Sequence, residues 1–200
     1  MRRIVTLSAL LAIAVVAAGC STPPSRLYTL SRAPAAPAAS AAAPLPNITV
    51  VVGPVSIPSI VDQPQFVVNT GANSVSIDEF NRWASPLQGN ISRVVAENLV
   101  MLLGTQRVSQ FQQSLNLDAD FRVAIEVQSF ESAPGDAATL NAVWVVRRTK
   151  DGKSQTGRTT VREPTGSAGY DALAAAHSRG LAKMSREIAD AIRGLERLAQ

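Results

Sequence analysis

DFRVAIEVQSFES, residues 120–132, puts Phe121, Val123, Ile125 and Val127 at every second position, the period of a strand with one face in a core and one in water. Pro134-Gly135-Asp136 turns the chain, and TLNAVWVVRRT (139–149) brings it back with Val143, Trp144, Val145 and Val146 near its middle. Lys150-Asp151-Gly152-Lys153 turns it again into SQTGRTTVR (154–162). Three strands joined by two tight turns read as an antiparallel meander.

Outward from that meander the elements become shorter. Upstream, Ile48, Val50 and Val52 mark a strand that starts at Asn47 and is closed by Gly53-Pro54 and Pro58. Residues 65–69 and 74–77 form a predicted hairpin around Thr70-Gly71-Ala72-Asn73, and residues 108–111 are a short predicted strand. A helix is expected from Ser85 as N-cap, with Pro86 at the first helical position and Gln88 closing an S-x-x-Q capping box. Its apolar stripe is Leu87, Ile91, Val94, Val95, Leu99, Leu102 and Leu103, and Gly104 stops it. After Gly166 to Gly169 a second helix carries Tyr170, Leu173, His177, Leu181, Met184, Ile188, Ala191, Leu195 and Leu198 on one face. Its length suggests that the far end packs on another chain. The expected fold is α+β: one compact domain over residues 47–200, mostly antiparallel sheet with two main helices packed on it.

The N-terminal 46 residues are of a different kind. Arg2 and Arg3 precede an apolar run from Ile4 to Val16, then Ala17-Ala18-Gly19-Cys20. This is the order of a secretion signal, and it is shorter than the ~20 residues a helix needs to span a bilayer. The small residues before the chain's one cysteine resemble the lipobox of bacterial lipoproteins, although Ala17 stands where that pattern prefers Leu. The resemblance implies that residues 1–19 are cleaved and that Cys20 carries diacylglycerol and an N-acyl chain such as palmitate; Ser21, in place of a retaining Asp, implies outer-membrane placement facing the periplasm. Residues 20–46 read as a lipidated N-terminus and flexible tether, because SRAPAAPAASAAAPLP (31–46) has one charge, no aromatic residue and four prolines. Ahead of it Leu27-Tyr28-Thr29-Leu30 is an apolar patch that docks on the domain or on a neighbour.

Composition excludes several functions. Without residues 1–19 the chain keeps 17 basic against 15 acidic residues. The cluster Arg147, Arg148, Lys150 and Lys153 lacks interleaved aromatic residues, so nucleic acid is not an expected partner. With Cys20 acylated no thiol remains for a disulfide. One histidine and one acylated cysteine give no His/Cys metal set, and there is no phosphate-binding glycine loop or G-x-S-x-G elbow. His177, on the apolar stripe, reads as a packed histidine rather than a catalytic base. No enzyme, no cofactor beyond the covalent lipid and no metal are expected.

Five strings together resemble one family, the auxiliary lipoproteins of ABC-type transport of the PqiC/YmbA group. They are Leu27-Tyr28-Thr29-Leu30, Gly53-Pro54-Val55-Ser56-Ile57-Pro58 with Asp62-Gln63-Pro64-Gln65, Arg82-Trp83-Ala84-Ser85-Pro86-Leu87, Gly169-Tyr170-Asp171-Ala172-Leu173, and Met184-Ser185-Arg186-Glu187-Ile188-Ala189. The resemblance implies a non-catalytic, outer-membrane-anchored part of an intermembrane lipid transport system, with MCE-domain and ABC or permease-like partners. A carrier holding lipid in its own apolar pocket is the alternative. Trp83 and Tyr28 are candidate partner contacts, although for Trp83 plugging the gap between helix and sheet is the favoured reading. Spare apolar surface on the last helix makes a homo-oligomer an expectation.

Overall fold

The computed structural model describes residues 23–32, 43–111 and 118–198. Cys20, the signal segment and residues 33–42 of the expected tether lie outside the described residues.

The meander forms as its alternation predicts. Strands β6 (Phe121–Ala133), β7 (Ala137–Arg148) and β8 (Ser154–Pro164) pair antiparallel in sequence order. Their inward positions, among them Phe121, Val123, Ile125, Leu140, Ala142 and Val146, are buried together under two helices. At the centre Trp144 lies opposite Gly157 in register. A Cβ on Gly157 would stand 2.1 Å from the indole ring, so glycine here makes room for Trp144. The indole Nε1 donates to Thr159 Oγ1 at 3.1 Å, which satisfies its one donor inside the core.

The α+β class is as expected, but the strands form two mixed sheets. Strand β2 (Val50–Ser56) joins the meander, parallel both to β6 and to β5 (Val108–Gln110), giving the order β5-β2-β6-β7-β8. It does not close at Gly53-Pro54: the register shifts between Val52 and Val55, and pairing resumes beyond the bulge. After a 3-10 turn (Ser59–Val61), β3 (Gln65–Gly71) and β4 (Ser74–Trp83) make the predicted hairpin, with β4 running on to Trp83. The second sheet has the order β1-β4-β3, where β1 (Arg26–Tyr28) pairs parallel with the end of β4.

That strand corrects the domain boundary expected at Asn47. Leu30 is fully buried, and Leu45 N–H donates to Leu103 O at 2.8 Å. The domain therefore holds the chain on both sides of the Pro/Ala-rich segment. Of the two places foreseen for residues 27–30, the structure takes docking on the domain. Apolar burial explains why, since Tyr28 and Leu30 enter the same core as the helices.

Helix α1 (Leu87–Leu103) buries the predicted stripe but not by the predicted cap. It starts at Leu87 with Pro86 as N-cap and no side-chain cap bond. Gln88, expected to close a capping box, instead donates through Nε2 to the carbonyl of Val55 and ties the helix start to β2. Helix α2 (Tyr170–Arg197) lies along β7 and β8. Its far end was expected on another chain, yet Ala191, Ile192 and Leu195 are buried in the domain's own core. The guanidinium of Arg148 donates to Leu195 O and holds Asp151, fastening that end of the helix to the β7–β8 turn.

Candidate functional site

Where β1, the hairpin and the start of α2 meet, aromatic and polar side chains interlock. Trp83 stacks on Phe66 with ring centroids 4.0 Å apart, and Phe66 meets Tyr28 and Tyr170 edge-on at 5.5 and 5.1 Å. Around this stack runs a hydrogen-bond chain. Tyr28 hydroxyl donates to Asn81 Oδ1 at 2.7 Å, Asn81 Nδ2 to Asp78 Oδ2 at 3.0 Å, and Tyr170 hydroxyl to the same Asp78 oxygen at 2.6 Å. Burial works against ionising Asp78. Donors from Tyr170, Asn81 and the backbone of Phe80 and Asn81 outweigh it and hold the carboxyl down at about 2. Burial and the neighbouring Asp78 push the Tyr170 phenol up.

The strap formed by residues 26–31 is fixed from its other side too. Arg93 Nη2 donates to Leu30 O at 2.6 Å and to Asn90 Oδ1 at 2.6 Å, and Ser31 N–H donates to Ser178 Oγ at 3.0 Å. Beneath Trp83, His177 lies parallel to Phe130 at 3.7 Å and within 2.8 Å of Ser132 Oγ through Nε2. His177 is 1% exposed, and burial alone pushes its pKa down to about 3. A neutral imidazole and a serine closed off from solvent can neither meet a substrate nor exchange a proton with one. The described residues hold no group of three or more His, Cys, Asp or Glu placed for a metal ion.

Both sequence candidates for contact lie inside this cluster: Trp83 is 6% and Tyr28 9% exposed. Trp83 occupies the gap between α2 and the hairpin sheet. Trp83→Ala is expected to lower unfolding free energy by about 3–5 kcal/mol, the usual cost of removing a buried large aromatic. A denaturant titration measures it, and an unmoved midpoint would show that the stack contributes nothing. The sequence reading missed Phe66, Asp78 and Asn81, since the aromatic and tyrosine partners that bring them together are 17 to 104 residues away in the chain.

An apolar groove opens on the other side of the hairpin. Pro58, Ile60 and Val61 of the 3-10 turn, Val67 and Val75 of the hairpin, and the β6 segment from Gln128 to Glu131 line a cavity of about 250 Å³ that is open to solvent. Its carboxylate and amide groups are Glu131 and Gln128 of β6 and Asn69 of β3. Such a lining suits apolar contact and offers no acid–base pair.

Residues 28–189 match the family model for the ABC-type transport auxiliary lipoprotein component. The chain belongs to this family. The match begins at Tyr28, so the family unit takes in the end of β1 and the strap as well as the sheets and helices. An auxiliary lipoprotein of ABC-type transport is thus built around a sealed core, with an open groove at one end. Two solved structures share its fold. One, of an uncharacterized protein, has a TM-score of 0.68 at 22% identity and covers 85% of this chain and 99% of its own. The other, a Xanthomonas campestris protein of the DUF330 family, has a TM-score of 0.71 at 20% identity over 88% of this chain and 100% of its own. At those identities the likeness is one of fold. No curated protein matches the chain in sequence.

Proposed function

We propose that this auxiliary lipoprotein is a non-catalytic docking component, anchored by Cys20 to the periplasmic face of the outer membrane, of an MCE- and ABC-type system that moves lipid between membranes. The observation that carries the reading is the family match over residues 28–189 on a chain whose single cysteine directly follows a secretion-type apolar segment. The sealed Ser132–His177 pair supports a non-catalytic role, because the only histidine is spent in the core.

Co-purification tests it. The lipidated protein, extracted from its native envelope in mild detergent after brief crosslinking, is expected to bring down an MCE-domain protein. Repeated recovery without one would remove that partnership. The open groove favours a second reading, a carrier that holds an acyl chain itself. Ligand pockets usually enclose about 300–1,000 Å³ and bury most of the ligand, whereas this groove is smaller and open. Lipid retained on the purified protein in native mass spectrometry would favour the carrier over the docking component.

A further inference from the structure

Between Asp62 and Asp78 the chain has 15 residues and no charge. That run takes in all of β3, the hairpin turn and the first part of β4. On one face of the hairpin Val67 pairs across the strands with Ile77, and Asn69 with Val75. Val75 and Ile77 are 49% and 45% exposed, and Ile60, which lines the same groove as Val67 and Val75, is 51% exposed. Single exposed apolar side chains are ordinary on a protein surface. Three of them gathered together, Val75 and Ile77 at the charge-free end of the hairpin and Ile60 on the 3-10 turn beside it, mark a contact surface.

The direction of the chain indicates what that surface meets. Because β1 runs parallel to β4, with Arg26 opposite Asn81, the N-terminal end of β1 is the end nearer the hairpin turn. Six residue steps separate Cys20 from Arg26, at most about 20 Å of extended chain. The same six steps separate Val75 from Asn81 on β4. An acyl anchor on Cys20 is therefore held no farther from the domain than the hairpin's own length.

We infer that the face formed by Val75 and Ile77 of the hairpin and Ile60 of the 3-10 turn rests in the interfacial layer of the lipid leaflet that holds the Cys20 acyl chains. The inference rests on acylation of Cys20. Apolar side chains at the charge-free turn end of the hairpin enter the headgroup boundary, and each adds burial to the anchor. The turn at Lys150–Lys153 lies at the far end of the long sheet. Thr149 N–H donates to Asp120 O there, about nine residues along β6 from the groove-lining segment, or roughly 30 Å. The groove thus opens beside the membrane surface, and the basic turn points away from it.

Acylation consumes the chain's one thiol, so a cysteine introduced into the lipidated full-length protein is the sole site for a thiol-reactive dye. The protein is placed on vesicles of phosphatidylethanolamine and phosphatidylglycerol with brominated acyl chains. Dye on Val75→Cys or Ile77→Cys is expected to lose about half of its emission or more, as for a group seated within the acyl boundary, while dye on Lys150→Cys keeps its emission. All three positions are on the surface, so the fold is retained. Unquenched dye at both hairpin positions in protein that stays on the vesicles overturns the inference and leaves the anchor standing, and so does equal quenching at Lys150→Cys. A dye response that grows with protein concentration in the absence of lipid assigns the face to a second copy and also overturns it. If the unsubstituted protein takes up dye and washes off the vesicles, the acylation itself fails, and this surface reading goes with it.

Discussion

Replacing Cys20 with alanine is expected to remove the protein from the outer-membrane fraction while leaving its folded domain intact. Each buried CH₂ of an acyl chain contributes about 0.8 kcal/mol, so one chain binds marginally and two or three anchor durably. The half-exposed Val75, Ile77 and Ile60 cannot replace that. Full burial of one such side chain is worth about 1.5–3 kcal/mol, and a good part of each is already covered. The fold has no stake in the cysteine, because the strands, helices and core of the described residues lie between Arg26 and Arg197. Fractionation by density reads the anchor, and thermal unfolding of the released chain reads the fold. A Cys20→Ala variant that still floats with the outer membrane would overturn the lipid-anchor reading.

Acidification from pH 6.5 to 4.5 is expected to destabilise the domain through His177. Its folded pKa is held at about 3, below the 6.5 of a free imidazole, because burial between Phe130 and Trp83 disfavours the charged ring. The unfolded chain then takes up a proton in this window and the folded one does not. Stability is therefore full above pH 6.5 and falls as the pH drops toward the folded value. The slope approaches about 1.4 kcal/mol per pH unit, so two units cost on the order of 2–3 kcal/mol from a total of roughly 5–15. Carboxylates confuse the picture only at lower pH. Asp78 loses its contribution as the pH falls from 3.8 toward about 2, and Glu163, held low against burial by Lys183 and Arg179, follows the same sign. His177→Gln keeps a polar group for Ser132 and removes the titration. Denaturant curves at pH 6.5, 5.5 and 4.5 are expected to flatten in that variant; an unchanged slope would place the acid lability elsewhere.

How much of this was legible beforehand depends on the range of the interaction. The period-2 runs at Phe121–Val127 and the helical stripe from Leu87 to Leu103 report burial of one face, and both elements form where they were expected. The capping box failed because Gln88 had a better partner 33 residues away, the Val55 carbonyl. Tyr28 and Trp83 were noticed for their chemistry, but nothing in their neighbours showed that Phe66 and Tyr170 would close over them. The run without charge from Gln63 to Ile77 is visible in the sequence, but only the pairing of β1 with β4 shows that the N-terminal end of β1 lies on the side of the hairpin turn.

The sequence by itself determined the meander and the two helices. All of these follow from composition and from periodicities within about ten residues. Tertiary structure alone decided that β2 pairs parallel beside β6, that residues 26–30 strap into the second sheet ahead of the Pro/Ala-rich segment, and that His177 is sealed beneath Trp83. Each of those outcomes depends on which distant apolar surfaces meet. Local patterning shows that a face will be buried and is silent on what will cover it.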